Sequence, residues 1–280
     1  MIFIQFALQR TSRLLLLIVF FIPSHIFCEW RDLLQFPLNK SSSSPIERVD
    51  FIYMINLDRR LDRWNQSSEI LKSYSISPYR FSAIDGWALN QEALDKHLIV
   101  FLPAIKPIGT RLTRGGLGCS LSHLSIIQDA LLSDYNMIWV MEDDVDIESN
   151  PVQLNGLIEK LDVQLHEWDM LYTDFGVKWP SPIYKETILS RDFIQQTPRF
   201  RTHSYIIKKS GLIKIWDHFL IHGIRYPIDD EFNLVPNLIR VNLRHTVVSF
   251  LKNGDSNTKH NSKPTPSKNR QSLKLNQLRS

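Results

Sequence analysis

Three consecutive carboxylates, Glu142, Asp143 and Asp144, follow directly on the apolar run Met137 to Met141 (MIWVM). Like charges a few ångströms apart raise one another's pKa, so such a triplet calls for a neutralising partner, and a divalent cation is the economical one. Carboxylate oxygens suit Mn²⁺ or Mg²⁺, and an ion held by one or two of them keeps positions free for further oxygen ligands. If the strand stays extended through the triplet, Glu142 and Asp144 point to one side as metal ligands, leaving Asp143 to a neighbouring hydrogen bond. Acids that merely end a strand as solvated turn formers are the competing explanation. An EF-hand beginning at Asp144 fails, because Ser149 stands where its glycine belongs and Asn155 where its bidentate Glu belongs. A glycosidase needs two carboxylates on opposite sides of the scissile bond, which a contiguous triplet does not supply.

The elements around the triplet alternate. Asp50 to Asn56 (DFIYMIN) reads as a buried strand, and Leu61 to Tyr74 follows with helical spacing at Leu61, Trp64, Ser68 and Leu71. Tyr79 to Ile84 is a second strand, closed by the turn pair Asp85-Gly86. Gly115, Gly116 and Gly118 stand at the entrance of a helix over Leu117 to Leu132, which leads into the strand before the acids. Helix Val152 to Leu161, strand Trp168 to Thr173, strand Tyr205 to Lys208 and helix Ser210 to Phe219 continue the pattern. Such alternation predicts an α/β fold in one domain over 47–251, an open sheet flanked by helices that binds ligands beyond the carboxyl ends of its strands. The loops Leu89 to Arg114 and Lys178 to Arg201 carry no readable pattern.

Composition sets the limits. The chain has 280 residues and a formal charge of +4, but 252–280 alone hold seven Lys or Arg against Asp255, so the remainder is slightly acidic. No basic face interleaved with aromatics is present, which argues against nucleic acid as a partner. The basic tail 252–280 is expected to be disordered. Two cysteines, Cys28 and Cys119, make neither a disulfide framework nor a zinc spacing, and Cys119 reads as a small buried residue. Arg10 and Arg13 precede the apolar run Leu14 to Ile22, so 1–28 read as a signal peptide or signal anchor, with membrane association through that segment and the domain outside. Four serines in a row place a polar linker at 29–46.

Three motifs in order, Tyr53 to Trp64 (YMINLDRRLDRW), Gly115 to His123 (GGLGCSLSH) and Trp139 to Val145 (WVMEDDV), resemble glycosyltransferase family 25, the group of lipooligosaccharide transferases and procollagen galactosyltransferases. The resemblance covers 50 to about 235 and implies a GT-A-like, Rossmann-type sheet. It also implies transfer of a hexose, galactose or glucose, from a UDP-sugar donor to a glycan, lipooligosaccharide or hydroxylated protein acceptor. Carried onto this chain, Glu142 and Asp144 would hold Mn²⁺ (or Mg²⁺), while Asn56, Asp58, Arg59, Arg63 and Asp143 would surround the donor nucleotide. Ser122 and His123 match the family's Ser-His pair, with His123 a donor or acceptor contact. Asp229 in YPIDDE is the preferred base or acceptor-site acid and Asp230 its rival; His203 is a further candidate metal ligand. One departure stands out: Gly116 occupies a position where the family usually has Glu, which opens an alternative in which the fold binds nucleotide sugar or glycan without turnover. A luminal secretory setting supplies sugar nucleotides to a domain facing outward, whereas in a bacterium the segment would pin the protein to the inner membrane.

Overall fold

In the computed structural model, residues 29–96, 111–176 and 183–250 are described. Residues 1–28, read above as a signal peptide or anchor, and the tail 252–280 lie outside them. Among the described residues, ten strands and six helices follow in chain order, with short 3₁₀ turns between some of them.

The first strand, β1 (Phe51–Asn56), is buried at every position. Helix α1 (Leu61–Lys72) follows it, then β2 (Tyr79–Ser82) and the short α2 (Gln91–Lys96). Helix α3 (Arg114–Leu132) takes in the three glycines as its own first turns; Thr113 caps it, accepting from the Gly116 N–H at 3.0 Å. Strand β3 (Met137–Glu142) delivers the acids, and β4 (Val145–Ile147), α4 (Leu154–Gln164) and β5 (Met170–Tyr172) come next. A hairpin of β6 (Lys185–Ile188) and β7 (Phe193–Thr197) falls inside a loop that had shown no pattern. Strand β8 (Ser204–Lys208), α5 (Lys209–His222), the one-turn α6 (Ile228–Glu231), β9 (Arg240–Leu243) and β10 (Val248–Phe250) complete the order.

Eight strands form one sheet in the order β2-β1-β3-β8-β5-β9-β7-β6, and β10 pairs with β4 in a separate ribbon. The pairs β1–β2, β1–β3 and β5–β9 are parallel, whereas β8 runs antiparallel between β3 and β5. The sheet is therefore mixed. Side-chain alternation splits the core in two. Phe51, Tyr53, Ile55, Ile138, Val140, Tyr205 and Ile207 face α3 and α5 on one side. On the other, Ile52, Met54, Met137, Trp139, Met141 and Ile206 join Leu71 of α1 and Leu154, Ile158 and Leu161 of α4. Helices on both faces and one continuous sheet make a single α/β domain of GT-A-like form.

The polar segment 29–46, read above as a linker, lies against this domain. Trp30 is buried and meets Trp216 and Phe219 edge-on. Leu34 and Ile46 are also buried, Ser43 bridges to Ser77, and Lys40 reaches Asp129 at 2.6 Å. Among the described residues, no helix is long and apolar enough to cross a membrane.

Candidate active site

The parallel strands β1, β2 and β3 end together, and the chain at and beyond each end contributes to one solvent-open cleft. Its lining includes Leu57, Arg59 and Arg63 after β1, Asp85, Gly86 and Trp87 after β2, and all three acids after β3. The first turns of α3 close it with Gly115, Cys119 and Ser122. Close backbone approach makes that closure possible. A Cβ on Gly118 would lie 2.4 Å from the Ile84 carbonyl oxygen and 2.5 Å from the Gly86 nitrogen, so α3 docks on the β2 turn only with hydrogen there. The Ser122 hydroxyl accepts from the Ile84 N–H at 2.9 Å and donates to the Gly118 carbonyl at 2.7 Å, pinning the same junction.

The extended register expected through the acids does not persist. Strand β3 stops at Glu142, Asp143 and Asp144 form a tight turn, and β4 begins at Val145. The turn is stabilised from α1: Ser67 donates to the Asp143 carbonyl at 2.9 Å, and Arg63, itself buried, lies 3.3 Å from the Asp143 carboxylate and 3.6 Å from that of Asp144. Asn56 donates to Asp143 at 2.6 Å and to the Arg60 carbonyl at 2.8 Å, while its own oxygen accepts from Arg80. Asn56 and Asp143 thus brace the turn. Asp58 is exposed and paired with Arg80 and Ser82, away from the cleft lining. Arg59 does line the cleft, paired with Asp85 at 2.7 Å.

Electrostatics separate the three acids. Burial and the Glu142 charge push the Asp144 carboxyl up to about 7, and one of its oxygens is buried without a hydrogen-bond partner. Burial also raises Asp143, against the opposing Asn56 hydrogen bond and Arg63 charge. Burial would raise Glu142 as well, but the nearby His123 and the Thr202 hydroxyl, which donates at 2.9 Å, outweigh it and leave this carboxyl below its ordinary range. His123 is fully buried on α3, 3.5 Å from Glu142 through Nε2 and 2.9 Å from the Tyr205 hydroxyl through Nδ1. It reaches the cleft only through Glu142. Among the described residues, the group of three side chains close enough to share a metal ion is Cys119, His123 and Glu142.

The antiparallel β8 brings a second set of residues to the same end of the sheet. The Glu142 N–H donates to the His203 carbonyl at 2.8 Å. His203 is buried with neither ring nitrogen hydrogen-bonded, its Nε2 lying 3.7 Å from Asp174, and burial holds its pKa below that of a free imidazole. Asp174 pairs with Arg199, whose guanidinium covers the Tyr172 ring at 4.1 Å. Sequence reasoning missed both, although Asp174 follows a buried strand just as Glu142 does. Asp229, in the first turn of α6, accepts from the Arg201 N–H at 3.1 Å and from the Asp230 N–H at 3.1 Å; burial raises its pKa, with a further contribution from the Glu142 charge. Asp230 is buried beneath it at 2% exposure, so Asp229 is the more accessible of the two. Buried Glu231 anchors α6 through His218 at 2.9 Å and the Arg225 and Tyr226 N–H groups.

Comparison with known proteins agrees with this arrangement. The profile of glycosyltransferase family 25 (LPS biosynthesis protein) matches residues 49–231. Procollagen galactosyltransferase 2 of Mus musculus is 36% identical over 196 residues, 67% of this chain and 30% of that protein. The inactive glycosyltransferase 25 family member 3 of Homo sapiens is 36% identical over 141 residues, 49% of this chain and 23% of its own length. A glycosyltransferase 25 family member of Aedes aegypti is 29% identical over 203 residues, 69% of this chain and 33% of its own. The chain thus spans about a fifth to a third of the length of the curated relatives it matches. With the family profile covering well over half of the chain, including every cleft-lining residue, this protein belongs to glycosyltransferase family 25.

Proposed function

We propose that the protein transfers a hexose, galactose or glucose, from a UDP-sugar to a glycan or hydroxylated protein acceptor with the help of a divalent metal. The observation that carries this reading is the acidic turn at the shared ends of three parallel strands, with all three acidic residues lining one cleft. Its charge favours a cation. Two of the carboxylates, Asp143 and Asp144, share the buried guanidinium of Arg63, and an Asp144 oxygen is buried with no hydrogen-bond partner. Glu142 and Asp144 would hold Mn²⁺ or Mg²⁺, which when bound supplies Lewis-acid stabilisation of the departing nucleoside diphosphate.

The chain's own residues have distinct tasks. Arg63, Asn56 and Ser67 hold the acidic turn in place, and Arg59 stands at the cleft wall where a phosphate oxygen could replace its contact with Asp85. Thr202 and His123 orient Glu142. Asp229 is the candidate general base for the acceptor hydroxyl, since burial raises its pKa toward the range in which a carboxylate takes a proton efficiently near neutrality. Its hydrogen bonds with the Arg201 and Asp230 N–H groups fix the orientation in which it would do so.

A second reading is favoured by one observation. A relative named as inactive matches at the same identity as a galactosyltransferase, and Gly116, where the family usually has Glu, lies beside Pro227 at the start of α6. In that case the cleft binds nucleotide sugar or glycan without turnover. The deciding experiment measures UDP release from a panel of UDP-sugars with Mn²⁺, using the full chain and Asp144→Asn. Metal-dependent release abolished by the substitution supports transfer; UDP binding without release supports the binding module, and absence of UDP binding overturns both.

A further inference from the structure

One face of α3 carries Cys119 and His123, four residues apart, so both side chains project in the same direction from successive turns. Glu142 arrives opposite them at the end of β3. The Cys119 sulfur, an imidazole nitrogen of His123 and a Glu142 carboxylate oxygen all lie within 4.8 Å of one another. The proposed transfer makes no use of the sulfur. His123 Nε2 is buried without a hydrogen-bond partner, 3.5 Å from Glu142 Oε1. The ring is held from its other side, where Nδ1 lies 2.9 Å from the Tyr205 hydroxyl. With an ion bound, a proton on Nδ1 directed at that oxygen would leave Nε2, which otherwise faces Glu142, free to coordinate, the arrangement that metal-binding histidines use.

We propose that Cys119, His123 and Glu142 form a thiophilic metal site, suited to Zn²⁺ or Co²⁺, that shares Glu142 with the donor-metal site. The ligand chemistry selects the ion: thiolate and imidazole favour Zn²⁺ and Co²⁺, whereas Mn²⁺ and Mg²⁺ prefer an all-oxygen set. Zinc–ligand bonds of about 2.0–2.3 Å require the three side chains to draw inward, which the rotatable Glu142 and Cys119 side chains allow. Cys119 and Glu142 both line the cleft, so the ion enters from solvent, with His123 behind it and a fourth position left for water. Binding releases the thiol proton to solvent, while His123 coordinates neutral and Glu142 ionised. Sharing Glu142 brings two divalent ions to one carboxylate, and their mutual repulsion makes zinc occupancy antagonise Mn²⁺-dependent donor binding. That antagonism rests on the transferase reading; the site itself does not.

Cobalt substitution tests the site without reference to activity. The full chain is titrated with Co²⁺ and followed by absorption, alongside Cys28→Ser, which keeps Cys119 as the sole thiol, and Cys119→Ser. Expected are a thiolate-to-cobalt charge-transfer band and tetrahedral d–d bands in the wild type and Cys28→Ser, both lost in Cys119→Ser and displaced by Zn²⁺. Zinc affinity, read by competition with a chromophoric chelator, should fall by about a hundredfold or more in Cys119→Ser. No charge-transfer band in the wild-type chain overturns the proposal whatever the variants do, as does a band that survives Cys119→Ser. UDP binding with Mn²⁺ on the same samples keeps the two ideas apart. Binding intact with no cobalt–thiolate band sinks only the zinc site, and a band without any UDP binding supports the site while sinking the transferase reading.

Discussion

The carboxyl of Asp144 has the most perturbed environment of the three acids, and its behaviour with pH follows from that. Its ordinary value is 3.8 and its folded value about 7, so between these the folded chain holds the proton more tightly than the unfolded one. Stability from this group is therefore present at low pH and is lost as pH rises through the folded value. Replacing it with Asn removes the loss: the Tm of Asp144→Asn relative to wild type, both metal-free, should climb from about pH 5 to about pH 8. A difference that stays flat across this range would contradict the raised value. Metal binding runs the opposite way, since the ion must displace that proton. Mn²⁺ affinity of the wild type should fall by about tenfold per pH unit below 7, as calorimetric titration would register. The residue roles that sequence reasoning found least legible are those of the supporting shell. Nothing in the spacing of Asn56, Asp58 and Arg63 tells that the first braces Asp143, the second faces solvent and the third neutralises the acidic turn. Those roles depend on how α1 packs under a turn about eighty residues away.

At the scale of elements, buried runs such as Phe51–Asn56 and Met137–Glu142 announced themselves because every position is apolar up to the polar end. Strand direction did not, because a period of two reads the same either way; β8 accordingly emerged as an antiparallel insertion only once its register with β3 and β5 was known. The hairpin β6–β7 escaped notice because Lys185–Ile188 is a largely exposed edge with little apolar signal. Glycine placement, in contrast, was legible as a motif but not as a mechanism. Gly118 lies against backbone atoms that cannot move aside, so Gly118→Ala should destabilise the chain by about 1–3 kcal/mol and weaken UDP binding by shifting the start of α3. Gly156, exposed in α4 with nothing within 4 Å of a built Cβ, is the matched control: Gly156→Ala should gain about 0.5–1 kcal/mol and leave UDP binding unchanged. Chemical denaturation with UDP titration separates the two, and equal effects at both sites would refute the close-approach argument.

Considered as a whole, the domain begins earlier than its strand pattern suggests. The serines of 29–46 look like linker because polar composition reports the exposed half of a segment that wraps the body, while the buried half rests on a few spaced anchors. Trp30 fills a site between Trp216 and Phe219 of α5, Leu34 adds to the same core, and Lys40 joins Tyr53 in meeting Asp129 inside α3. Removing this strap exposes the aromatic face of α5 and leaves Asp129 without its Lys40 partner. The α3 helix carries both Asp129 and the cleft residues Cys119 and Ser122, so the strap supports the site from behind. Chains beginning at residue 29 and at residue 47 should therefore differ sharply. The longer should melt cooperatively, and Trp30→Ala within it should cost about 3–5 kcal/mol. The shorter should show a lower Tm and weaker UDP binding. If both melt alike and bind UDP alike, the strap is only a passenger on the surface, and the support for α3 must come from the sheet alone.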